Sequence, residues 1–152
     1  MLKRTSNERG YSLSELLVVV GLIMVLSLVA VPSVLTYWRT SALTSGAEQL
    51  AGVMNRARQL AISTNNSVCV QVTGTSVRLR TVSCAGTIWT GVGTDSSGVI
   101  QIANNLQVSG GTSAIFTNIG GASTTATYTL TDPKTGRTRT VAVSATGRVI
   151  IQ

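Results

Sequence analysis

The sequence predicts an α+β protein: a long N-terminal helix, with a membrane half and an amphipathic half, packed on an antiparallel β head. Three observations carry this. Tyr11 to Val31 is almost wholly apolar. From Leu43, apolar or small residues recur at Ala47, Leu50, Met54, Ala57 and Ala61, in the steps of four and three that make one buried helical stripe. After Asn66 apolar and polar residues alternate between glycine-rich turns, which is the period of strands with one buried face. Many short strands after one helix make an α+β domain of antiparallel sheets.

Residues 1–10 are a short basic leader, in which Lys3, Arg4 and Arg9 are opposed only by Glu8. That excess keeps the N-terminus cytoplasmic and sends the rest of the chain outward, as a single pass. The apolar run of 21 residues from Tyr11 to Val31 is about 31 Å long as a helix, which matches a bilayer core of about 30 Å. Glu15 is its anomaly. A carboxylate inside a membrane segment costs about 2.5–3.5 kcal/mol near the centre and less toward the end. A conventional signal peptide would be cut after a small-residue site. Ala30 offers one, but Leu28 at the −3 position is too large. A plain anchor explains the apolar run but not the spacing from Gly10 to Glu15.

Pro32 removes a helix hydrogen bond and is expected to kink the helix at the end of its membrane half, residues 11–32. The amphipathic half, residues 33–66, places Arg56 and Gln59 off the buried stripe and stops near Asn65-Asn66, a turn signal. Tyr11 to Thr64 is then a rod of about 80 Å. The β-rich head, residues 67–152, opens with Val68, Val70 and Val72 alternating with Cys69, Gln71 and Thr73. A turn at Thr73-Gly74-Thr75 leads back through Val77 and Leu79 toward Val82. Ala85 to Gly98 is a loop around Ile88-Trp89. Further strands are expected at Val99–Ala103, Leu106–Val108 and Ser113–Thr117. A hairpin joins Thr125–Thr131 to Arg139–Ser144, and Arg148–Ile151 closes the chain.

Of 152 residues, 12 are basic and 5 acidic, and there is no histidine. From Arg39 onward nine basic residues face three acidic ones. A basic head favours polyanions or acidic neighbours; the ordinary alternative is a solvated basic face. Cys69 and Cys84 lie in the segment sent outward, where an even count suggests a disulfide that restrains a short loop by roughly 3 kcal/mol. Two cysteines without histidine do not complete a metal site, and no cofactor is expected. The acids are scattered, no base stands ready to activate a nucleophile, and no phosphate-loop motif occurs. Nothing here points to an enzyme.

Arg9-Gly10, Ser12, Ser14, Glu15 at the fifth position after Gly10, Leu16-Leu17 and Pro32 resemble the class III signal of type IV pilins and pseudopilins, with Tyr11 where phenylalanine is usual. The resemblance implies cleavage by a prepilin peptidase between Gly10 and Tyr11 and N-methylation of Tyr11. The new α-amino group stands one helical turn from Glu15, so the two can pair within a chain or between neighbouring helices. The segment from Asn55 to Ile62 and the tail from Thr129 to Ile151 are similar to H-type pseudopilins and FimT/FimU-like minor pilins, the GspH/FimT branch. That branch implies a two-sheet β head. It also implies a structural subunit of a type IV pilus or type II secretion filament, assembled through the apolar helix and Glu15. Its partners are then other pilins, the peptidase and an inner-membrane assembly platform. The expected location is the bacterial inner membrane with a periplasmic head, then a periplasmic or extracellular filament.

The alternative function is a minor pilin that binds DNA during uptake in natural transformation, through a cluster of Lys134, Arg137, Arg139 and Arg148. FimT-like minor pilins carry a GRxR tail motif, and Gly136-Arg137-Thr138-Arg139 fits it as text. In a strand, Arg137 and Arg139 would point to one side, and Arg148 would join them past Gly147. Few aromatics are available for stacking, so duplex backbone contacts, weak and salt-dependent, are the expected mode. A solvated arginine face and subunit contacts are the competing readings.

Overall fold

The computed structural model describes residues 11–152. Helix α1, Leu13–Ser63, is assigned without a break through Pro32. The chain divides at Trp38/Arg39 into two compact units. In the N-terminal unit the apolar side chains are exposed, from Val20 at 42 % to Leu13 at 80 %. Among the described residues, one helix is long and apolar enough to cross a membrane.

The second unit contains the core. All six anticipated stripe residues, Leu43, Ala47, Leu50, Met54, Ala57 and Ala61, are buried. Gly46 joins them, since a Cβ there would strike the Leu106 side chain. The helix ends at Ser63 because Asn65 adopts a left-handed φ of 48°. Asn66 N–H then reaches back to Ala61 O at 3.0 Å and Asn65 N–H to Ile62 O at 3.2 Å, so the last carbonyls are satisfied by the turn itself.

Nine strands follow: β1 (Val68–Thr73), β2 (Ser76–Thr81), β3 (Val99–Gln101), β4 (Gln107–Gly110), β5 (Ala114–Phe116), β6 (Ala122–Thr124), β7 (Ala126–Thr131), β8 (Thr138–Val143) and β9 (Val149–Ile151). They form two antiparallel sheets, ordered β3-β2-β1-β5-β6 and β4-β7-β8-β9. The sheets approach where Gly74, in the β1–β2 turn, bridges to Val108 in β4. Val70, Leu79 and Phe116 from the first sheet and Tyr128, Leu130 and Val141 from the second share one apolar cluster with the helix stripe. Tyr128 also ties the sheets together: its hydroxyl accepts the Ala114 amide at 2.9 Å.

Several elements differ from expectation. Val82 does not extend β2; it leaves the sheet at a φ of 73°, uncommon for a β-branched residue, and is 61 % exposed. The departure turns the chain toward Cys84, which is bonded to Cys69 with Cα atoms 5.1 Å apart. Arg80 holds this corner through Gln71 Oε1 and Gly86 O, both at 2.8 Å. The loop 85–98 is fastened rather than free. Ile88 bridges to Arg80, Trp89 N–H donates to Leu79 O, and Arg56 stacks 5.4 Å from the Trp89 ring centre. Between β3 and β4 a short 3-10 turn, Ala103–Asn105, interrupts the strand pattern. Gln49 on the helix clamps it, donating to Gln101 O at 3.1 Å and accepting from Ala103 N–H at 2.9 Å. Strand β6 was not anticipated; three residues following a bulged pairing with β5 carry too little pattern.

Candidate functional site

Two regions carry the chemistry that the sequence singled out: the start of the apolar helix and the tail of the head. Helix α1 begins where the Ser12 carbonyl accepts the amides of Glu15 at 3.0 Å and Leu16 at 3.1 Å. Glu15 therefore occupies the first turn, where the helix dipole favours a negative charge. Between Tyr11 and Trp38 it is the one side chain charged at neutral pH. Leu13, Leu16, Leu17, Val20, Gly21 and Met24 line a shallow apolar groove along the same helix, at the spacing of one helical face. The hydroxyls along the helix are satisfied internally, Ser27 by Ile23 O at 2.7 Å and Thr36 by Pro32 O at 3.0 Å. Such a helix suits an apolar surrounding, with one carboxylate in want of a cation. Tyr11 is exposed, while Gly10 and the rest of the leader, residues 1–10, lie outside the described residues.

The tail cations are not one cluster. Strand β8 begins at Thr138, so Arg137 is in the turn before it and Arg139 within it. Arg139 pairs with Leu130 at one end of β8, whereas the Arg148 carbonyl accepts the Ser144 amide at the other. Five residues of strand, about 16 Å, separate Arg139 from Ser144. The expected convergence fails because β9 pairs antiparallel with the far half of β8, Val143 opposite Val149.

What gathers at the near end is different. The β7–β8 turn is built on Asp132, whose carboxylate accepts the Lys134 amide at 2.9 Å and the Thr135 hydroxyl at 2.6 Å. Its carbonyl accepts the Gly136 amide at 2.8 Å, with Gly136 at a φ of 68°. The Thr135 hydroxyl, then the Lys134 amide, hold Asp132 below the usual carboxylate range, with smaller help from the Arg39 and Lys134 charges. Arg137 Nη1 donates to Thr40 Oγ1 at 2.7 Å, which brings the turn level with the first residues of the head. Arg39 and Lys134 line one shallow cleft with Ala42, Asn104, Asn105 and Asp132. Arg39 was counted in the net charge, but no spacing in the sequence links it to Lys134 across 95 positions.

At the far end, Gly147 rather than Arg148 is the constrained residue. It has a φ of 76°, and a Cβ there would strike the Gly120 carbonyl oxygen. The Arg58 side chain runs alongside; Cβ atoms on Gly120 and Gly147 would lie 3.2 and 3.3 Å from its Nε, which is buried without a hydrogen-bond partner among the described residues. The helical arginine and the tail glycine thus belong to one packing contact. Among the described residues no group of three or more histidine, cysteine or carboxylate residues could hold a metal.

Two family models match the chain: type II transport protein GspH over residues 46–147, and the prokaryotic N-terminal methylation motif over residues 5–31. The fold is similar to the type IV minor pilin FimU of Pseudomonas aeruginosa, with a TM-score of 0.58 and 22 % identity, over 76 % of this chain and 92 % of that one. It is also similar to the minor pseudopilin EpsH from the type 2 secretion system of Vibrio cholerae, with a TM-score of 0.56 and 9 % identity, over 72 % of this chain and 95 % of that one. No curated protein matches in sequence.

Proposed function

The chain belongs to the GspH family of pilin-like proteins, and on that premise we propose that it enters its filament after cleavage behind Gly10, through its apolar helix and Glu15. It is a structural subunit, a minor pilin or pseudopilin of a type IV pilus or type II secretion filament, and it assembles with other pilins. The observation that carries this is the GspH match over residues 46–147, downstream of a methylation motif over residues 5–31 that runs into a long, exposed apolar helix.

The finer steps follow from the chemistry of that helix. Before assembly the helix spans the inner membrane once, leader in the cytoplasm and head in the periplasm, because the cations of the leader precede the span. A prepilin peptidase cuts between Gly10 and Tyr11, the new amino group is methylated, and an inner-membrane platform lifts the subunit into the filament. The four working parts are then the leader 1–10, the span 11–32, the amphipathic helix 33–66 and the head 67–152. In the filament the exposed apolar surface is covered by neighbouring helices. Glu15 sets the axial register, because a misplaced subunit leaves its charge unpaired in an apolar interior. DNA binding by the tail is not favoured, since Arg148 stands at the opposite end of β8 from Arg139.

The test is the mature chain itself. Mass spectrometry of membrane-extracted protein should give an N-terminus at methylated Tyr11. Glu15→Ala should insert and be cleaved as usual yet yield few assembled subunits in sheared filaments or cross-linked ladders. Normal assembly by that variant sinks the role of Glu15, and a different N-terminus sinks the processing step.

A further inference from the structure

Within the head unit, cations gather beside its first residues. Arg39 is the first residue of the head unit. Lys134 lines a cleft with it, and Arg137 is bonded to Thr40, the next residue along the helix. Arg139 follows one strand position into β8 and is exposed, like the other three. Arg39 and Lys134 flank one carboxylate, Asp132, which is already engaged by the Lys134 amide and the Thr135 hydroxyl, and Arg137 and Arg139 stand on the adjoining turn and strand.

Helix length says what such a group would meet. Tyr11 to Arg39 is 29 residues of chain, about 42 Å as a helix. A bilayer with both headgroup layers is about 40–45 Å thick. Tyr11 at one end and Tyr37-Trp38 at the other, 70 % and 68 % exposed, are the residue types that settle at the two interfaces. By chain length Arg39 then reaches the outer phosphates, and within the head the cleft and the turn adjoin it.

We propose that Arg39, Lys134, Arg137 and Arg139 form a collar that seats the head on anionic phospholipid headgroups while the subunit waits in the membrane. This rests on the reading of Tyr11–Val31 as a membrane span. The bound species is the lipid phosphate, held by Lys and Arg at the mouth of the span. Each cation at an anionic surface contributes roughly fivefold to such an equilibrium. Entry into the filament replaces lipid around the helix and releases the collar, so the headgroup charge of the membrane tunes how readily the subunit leaves it.

The test uses the full chain in nanodiscs of phosphatidylcholine alone and of phosphatidylcholine with phosphatidylglycerol at about 7:3. Hydrogen exchange is followed at the amides of the Asp132–Arg139 segment. The expected result is exchange slowed about fivefold or more by the anionic lipid, with the effect abolished in high salt. A Lys134→Gln/Arg139→Gln variant alters two exposed side chains and leaves the Arg137–Thr40 bond in place. It should lose the effect, and Arg148→Gln, at the far end of β8, should keep it. Equal exchange in both lipids by a disc-bound chain overturns the collar and spares the membrane reading. Loss in Arg148→Gln to the same degree overturns it in favour of net charge. Slowing by duplex DNA but not by lipid overturns it in favour of nucleic acid. A chain that does not stay with the disc at all overturns the span, and the collar with it.

Discussion

Tyr128 is the residue on which the two sheets depend most directly. Its ring is 1 % exposed, burial raises its pKa, and its hydroxyl is the acceptor for the Ala114 amide of the other sheet. Tyr128→Phe keeps the ring and strands the amide, so chemical denaturation of the full chain in detergent should show a loss of about 1–3 kcal/mol. An unchanged midpoint would mean that the amide finds another partner. Asp132 makes a prediction in pH. Its folded pKa lies below the ordinary 3.8, so its support for the turn is complete above that value. The support is lost as the pH falls through the lower, folded value. The Lys134 and Gly136 amides should therefore stay protected at pH 5 and exchange faster only on acidification below about pH 4. Protection lost well above pH 5 would sink the assignment. The pairing of the two cysteines was legible from type and position alone. Asp132 was not, because its hydrogen bonds are made within a turn whose text reads only as a turn.

At the scale of elements, the helix stripe and the strands of the tail were legible, and the placement of the tail arginines was not. A stripe repeating every three to four residues keeps its meaning wherever the helix packs, and six of six anticipated positions are buried. The tail turn misleads because its most visible residue is an arginine, while its constrained residue is Gly147. Gly147→Ala should cost more than about 1 kcal/mol, from its positive φ and the collision with the Gly120 carbonyl oxygen. Arg148→Ala, at an exposed position, should stay within about 0.5 kcal/mol. Thermal unfolding of the two variants compares them directly, and similar losses would refute this division. The three-residue strand β6 marks the limit of reading by alternation, whereas the equally short β3, β5 and β9 were anticipated. β3 pairs with β2 across the loop 85–98 and β5 with β1, while β6 and β9 pair with the strands just before them.

For the whole molecule, the buried core among the described residues begins at Leu43, and the apolar side chains of residues 11–38 are exposed. The head therefore should not need the membrane segment to fold. A fragment beginning at Arg39 is expected to be monomeric and soluble and to unfold cooperatively. Its midpoint should match that of the full chain in mild detergent, as calorimetry or circular dichroism would show. A molten fragment would mean that the span contributes to the core. The sequence by itself determined the order of the parts: an apolar run of membrane length with one acid in its first turn, a striped helix and a β head with one disulfide-closed loop. It could do so because hydrophobic period, charge and span length are local quantities, set by neighbours a few residues away. Only the tertiary structure decided which cations stand together. Arg39 meets Lys134 because the helix packs on the strands that end in the β7–β8 turn, and Arg148 parts from Arg139 because the register of β9 on β8 sends it to the far end. Neither packing nor register is encoded in a local pattern.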